Sequence, residues 1–223
     1  MKVKQFEYLS QYYLSKSEVA NLLGVKLDHI DQAILLGYMP KWAYKTTVDS
    51  CTSAAFGLTN LAMDLNEEYF CQATLEWYLY FTRKFGKPTY DQNTSAKIRQ
   101  HFMNKYMQIA NDHSEFCTLL DIGNMPLTNV ASTAWVSHHL GMFGVTVTKA
   151  DSINSIIEKQ LIVKKLSIAT ENGQKKDYTN DEMIALIDLF QVYNRVAKTV
   201  SPVDYDRSNR KLLVDNVIQN WKV

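Results

Sequence analysis

Residues 14–44, LSKSEVANLLGVKLDHIDQAILLGYMPKWAY, decide how the chain is read, because they carry the spacing of two short helices joined by a tight turn. Ser15 and Glu18 form a capping box in which each side chain satisfies the other residue's backbone amide, so the first helix begins at Lys16. Val19, Leu22 and Leu23 then share an apolar face. Gly24 stands where a helix needs a left-handed exit residue, and Gly24-Val25-Lys26 is the turn. A second helix from Leu27 or Asp28 buries Ile30, Ala33 and Ile34 and stops at Gly37, ahead of Pro40.

This segment resembles the head of the MerR and excisionase-type winged helix-turn-helix proteins, in which a turn such as LLGV is followed by a recognition helix and a Gly-Tyr-hydrophobic-Pro exit. The resemblance implies a DNA-reading head. Its chemistry argues otherwise: a DNA reader meets phosphates and base edges with Arg, Lys, Asn or Gln. The outward positions here are Asp28, His29, Asp31 and Gln32, with no Lys or Arg between Lys26 and Lys41. Two carboxylates repel a polyanion, so a structural hairpin is the favoured reading. Lys41 to Val48 reads as a short extended wing or strand.

The 223 residues suffice for a sizeable core. Lys and Arg number 24 against 23 Asp and Glu, which leaves no global field to draw in nucleic acid or an anionic membrane. Cys51, Cys71 and Cys117 are odd in number and lack metal spacing, so they are expected to be reduced thiols, as in the cytoplasm. No secretory signal is legible at the N-terminus, and no apolar run is long enough to span a membrane.

Beyond residue 50 helical periodicity dominates. Asn66 to Phe85 reads as a strongly aromatic helix, and Asn93 to Asp112 as another with Ile98, Phe102 and Ile109 inward. Breaks at Gly123 and Pro126 precede a helix near Thr128 to Leu140. Helices over about 152–170, 179–199 and 206–221 complete the pattern, the second opened by a Thr179/Glu182 capping box. The expected fold is mainly α: a helix-turn-helix region over residues 1–48 and a helical bundle over 49–223.

Candidate chemistry is sparse. Arg83, Lys84, Lys87, Lys97, Arg99 and Lys105, interleaved with Phe85, Tyr90, Phe102 and Tyr106, face only Asp91. Lys97, Arg99 and Lys105 are therefore candidates for anion or nucleic-acid binding, set against a merely solvated face. His138 and His139 are adjacent and point about 100° apart, so both cannot serve one site. His113 and Cys117 supply at most two metal ligands, and no metal or cofactor is expected. Arg207 and Arg210 share a helix face suited to a carboxylate or phosphate, with Asp204 and Asp206 beside them as internal partners. No nucleophile elbow, phosphate loop, dinucleotide fingerprint or kinase set occurs, so no reaction is assigned.

Trp135-x2-His138-His139-Leu140-Gly141-Met142-Phe143-Gly144-Val145 and Ser201-Pro202-x4-Arg207-Ser208-Asn209-Arg210 resemble a bacterial family labelled as natural-product biosynthesis proteins, without an established reaction. The family pattern has Cys where this chain has Thr146, and a second Ser where it has Asn209, so no thiol role carries over. The resemblance implies a bacterial cytosolic protein with a pocket shaped by Trp135, His138, Arg207 and Arg210. The leading reading is thus a protein of secondary metabolism that binds a small anionic molecule in its C-terminal region. The alternatives are a DNA-binding regulator, disfavoured by Asp28 and Asp31, and an interaction scaffold presenting Tyr12, Tyr13, Tyr38, Trp42 and Tyr44. No membrane contact is expected; a second copy of the chain is a candidate partner.

Overall fold

A computed structural model describes residues 1–88, 92–120 and 126–221. Tyr90, Asp91 and Gly123 lie outside the described residues. Helix α1 (Lys2–Tyr12) leads into strand β1 (Tyr13–Ser15), and the quoted segment follows as α2 (Lys16–Leu23) and α3 (Leu27–Leu35). Ser15 Oγ accepts the Glu18 amide at 3.2 Å, the Glu18 carboxylate accepts the Ser15 amide at 2.7 Å, and Gly24 takes φ +65°. Val19, Ile30, Ala33 and Ile34 are buried; Leu22 points to solvent, and Ala20 takes the inward place expected of it.

The expectation of a mainly α, all-helical chain is wrong. Residues 44–71 form strands β2 (Tyr44–Thr46), β3 (Cys51–Ser53), β4 (Gly57–Thr59) and β5 (Glu67–Cys71). They join β1 in a five-stranded antiparallel sheet of order β1-β5-β2-β3-β4. An N-terminal helix-turn-helix feeding a helical bundle is therefore not the architecture; α2 and α3 fall between β1 and β2, which pair with β5 on either side of it in one sheet. Cross-strand pairs Tyr13↔Cys71, Tyr69↔Tyr44 and Tyr44↔Ser53 place these side chains on one face. Helix α1 lies over that face through Tyr8 and Leu9, and Tyr8, Tyr13 and Tyr44 meet with ring centroids 5.1–6.1 Å apart. Tyr13, Tyr38 and Tyr44 are thus buried rather than offered to a partner, while Tyr12 is exposed and Trp42 half-buried.

The aromatic stretch divides: Glu67 to Cys71 is strand, and helix α4 runs Ala73–Phe85. Long α5 (Gln92–Asp112) and short α6 (Phe116–Leu119) come next. Then follow α7 (Leu127–His139), α8 (Met142–Thr146), α9 (Ile153–Ala169) and α10 (Asn180–Val196). Trp77, Phe81, Phe102 and Trp135 interlock between α4, α5 and α7 in the main core. Ile162 and Leu166 of α9 join Leu186, Phe190 and Leu213 in a second core under α10. The last segment is not the continuous helix read from the sequence. Extended backbone at Ser208 (ψ 151°) separates a 3-10 turn at Tyr205–Arg207 from a π-helical turn at Lys211–Asp215, before α11 (Asn216–Asn220). No helix among the described residues is long and apolar enough to cross a membrane.

Candidate functional site

An open cavity of about 450 Å³ lies between α4, α5 and the start of α9. Trp77, Tyr80 and Phe102 supply ring surface, Arg83, His101 and Lys105 supply basic groups, and Glu76 and Asp151 stand on the α4 and α9 sides. The helical repeat explains the basic set. Lys97, His101 and Lys105 recur at four-residue spacing along one face of α5, each step turning only about 40°. Arg83, one helical turn after Tyr80 near the end of α4, joins them. None of Glu76, Arg83, Lys105 and Asp151 makes an ion pair among the described residues. The cations therefore keep their capacity for an incoming anion.

His101 Nε2 lies 2.7 Å from the Tyr80 hydroxyl, and the two rings stack at 5.8 Å. Burial, with Lys84 and Lys105 nearby, lowers the His101 pKa from its ordinary value and so favours the neutral ring. It offers a directional hydrogen bond and no charge.

The sequence candidates are dispersed around this cleft. Lys105 lines it. Arg99 points to the opposite side of α5, donates to Ser132 Oγ at 3.0 Å, and lines a separate cavity with Trp135 and His139. Lys97 is exposed and lines neither. Trp135 and His138 adjoin, but His138 sits one ring behind the cleft wall, stacked on Phe102 at 4.8 Å and edge-on to Trp77 at 4.7 Å. Arg207 is committed elsewhere: it donates to Asp204 Oδ1 at 2.9 Å, the Phe56 carbonyl at 2.7 Å and Thr59 Oγ1 at 2.8 Å. Arg210 pairs with Asp215 at 2.8 Å and with Asn194. The four residues of the expected pocket thus do not converge. The two arginines fasten the C-terminal segment, one to the sheet and the other to α10. His113 bonds Asn154, and no group of three or more metal-ligating side chains occurs among the described residues.

Burial, then His139, pushes the His138 pKa down to about 3 from 6.5. The unfolded chain takes up this proton near 6.5 and the folded chain only near 3, so stability falls as pH drops through that window. The loss reaches up to about 1.4 kcal/mol per pH unit. Replacing His138 by Phe, which keeps a ring against Phe102, should flatten that part of the curve in denaturant titrations between neutral and mildly acidic pH. Identical slopes in both proteins would show that His138 is not held neutral.

The fold and cleft together define an α+β protein with an aromatic-walled, mixed-charge site on its helical side. The chain belongs to a family of unknown function (DUF6058), whose model matches residues 96–222. No curated protein and no solved structure matches it. The matched region contains His101 and Lys105 on α5 and Asp151 before α9, while Glu76, Trp77 and Arg83 on α4 precede it.

Proposed function

We propose that the protein binds a small anionic molecule bearing a flat ring system in the cleft between α4, α5 and α9. Arg83 and Lys105 hold the anionic group, His101 contributes a hydrogen bond, and Trp77, Tyr80 and Phe102 pack on the ring. The carrying observation is that Arg83 and Lys105 make no ion pair among the described residues although Glu76 and Asp151 line the same 450 Å³ aromatic-walled cavity. A solvated basic face needs no such cavity; a ligand site does. A role in natural-product metabolism rests on the resemblance of residues 135–145 and 201–210. Cytoplasmic residence rests on the free thiols of Cys51, Cys71 and Cys117.

A thermal-shift screen of phosphorylated and carboxylated aromatic metabolites tests the reading. One class should raise the melting temperature in a concentration-dependent way, because ligand at about 100 times its Kd stabilises by about 2.7 kcal/mol. No rise with any class would refute it.

A further inference from the structure

Strand β5 ends at Cys71 and α4 begins at Ala73, so this thiol stands where a strand hands over to a helix of 13 residues. The first amides of a helix have no intrahelical acceptors and carry its partial positive charge. No side chain caps them here. Lys198, just beyond α10, places Nζ 3.4 Å from Cys71 Sγ, 3.2 Å from the Gly144 carbonyl oxygen and 4.1 Å from the Tyr13 ring centroid. It has no carboxylate partner among the described residues. Burial keeps the Tyr13 phenol neutral, so among the three groups that Nζ touches the thiol is the nucleophile.

Cavities lie on both sides of this residue. Cys71 and His138 line an enclosed space of about 10 Å³, room for roughly one water. His138 is 2% exposed, and its Nε2 has no hydrogen-bond partner among the described residues. On the other side Cys71, Gln72, Ala73 and Lys198 line an open chamber of about 620 Å³. Glu76 and Asp151 line this chamber and the cleft alike, so the two adjoin.

We propose that Cys71 is a nucleophilic thiol that accepts an acyl group from an activated ester or thioester entering the Lys198 chamber. Its Sγ bonds to the carbonyl carbon, the bond from that carbon to the leaving oxygen or sulfur breaks, and the leaving group departs with the electron pair. The thiol proton passes to solvent, and no oxidant or metal is consumed. Lys198 stabilises charge developing on sulfur, and the partial positive charge at the start of α4 acts in the same sense. His138 does not line the Lys198 chamber and does not act as the base. This activity goes beyond ligand binding in the cleft and stands or falls separately from it.

The test treats the full chain with p-nitrophenyl acetate at neutral pH, follows p-nitrophenolate release and maps the acetyl group by peptide mass spectrometry. The expected result is a burst approaching one equivalent, with the acetyl group on Cys71. Cys51 is the internal control: it is buried at 1% against 6% for Cys71, has no lysine beside it among the described residues, and burial with Asp204 nearby pushes its thiol up to about 11. Lys198→Gln should slow acetylation of Cys71 by about tenfold, in the range of one charge contact at a half-buried site. Lys198→Arg should restore most of the rate, and labelling of Cys117 should not change. If Lys198→Gln does not fold, the comparison of Cys71 with Cys51 in the unaltered protein decides. Acetylation of Cys71 no faster than of Cys51, or unchanged in folded Lys198→Gln, overturns the proposal.

Discussion

Asp204→Ala should lower the unfolding free energy by about 3–5 kcal/mol, the cost of stranding the partners of a buried charge. Asp204 is fully enclosed. Its Oδ2 accepts the Tyr44 hydroxyl at 2.7 Å and the Ser201 hydroxyl at 2.8 Å, and its Oδ1 takes the Arg207 guanidinium at 2.9 Å. Tyr44 is itself buried in the sheet, and burial, with Tyr8 and Asp204 nearby, keeps its phenol protonated and able to donate. Truncation leaves two hydroxyls without an acceptor in a dry interior and removes the counter-charge of Arg207. Asp204→Asn, which keeps one carbonyl acceptor, should cost roughly half as much. Equilibrium denaturation in urea measures both. A loss below about 1 kcal/mol, the worth of one ordinary hydrogen bond, would mean that this network does not fasten the C-terminal segment to the sheet.

Gly141→Ala should be comparably damaging, by about 2–5 kcal/mol, because backbone strain and overlap add at one position. Gly141 has φ +81°, and a Cβ there would lie 2.5 Å from the Trp42 carbonyl oxygen and 2.6 Å from that of Lys41. These are backbone atoms, and the Lys41 amide is itself bonded to the His139 carbonyl at 2.9 Å, so neither side yields cheaply. Gly24→Ala separates the two costs. Gly24 has φ +65°, but its Cβ would meet open space, so only the strain of about 1 kcal/mol remains. Equal losses at the two sites, read from denaturation midpoints, would contradict the steric account. In the Trp135–Val145 motif, this glycine accordingly serves the packing of α7 and α8 against residues 41–42.

Local signals read the helices well, and tertiary pairing hid the sheet. Capping at Ser15 and Thr179 and apolar spacing in α3, α5 and α9 are written within one turn of helix, and these elements form close to where the sequence puts them. Strands β1 to β4 are three residues each, too short to show alternation. β5 carries Tyr69 and Phe70 directly before the rings of α4, so ring density extends the apparent helix backwards through Glu67. What makes Glu67 to Cys71 a strand is pairing with Tyr13–Ser15 and Tyr44–Thr46, distant in sequence on both sides.

The site was half legible. Lys105 belongs to a basic run visible in the sequence, but counting cations does not reveal direction. At 100° per residue Arg99 turns about 200° away from His101, while Lys97 and Lys105 flank His101 on its own face. That four-residue spacing could have brought His101 forward and set Arg99 aside. Arg207 and Arg210 look like a ligand-binding helix start because residues three apart on a helix share a face. Their actual partners are spread through the fold: Arg207 reaches Phe56 and Thr59 at the β3–β4 hairpin, and Arg210 reaches Asn194 on α10. Cys71 carried no flanking motif, and its interest arises from Lys198, far along the chain.

The most direct test of the binding site compares three proteins, the unaltered chain, Arg83→Gln/Lys105→Gln and Arg99→Gln, in thermal shift against the aromatic phosphate or carboxylate that most raises the melting temperature. Removing the two cleft cations should abolish the shift, while Arg99→Gln, altered on the far side of α5, should keep it. An equal shift in all three proteins, or its loss only in Arg99→Gln, would contradict the cleft as the anion site.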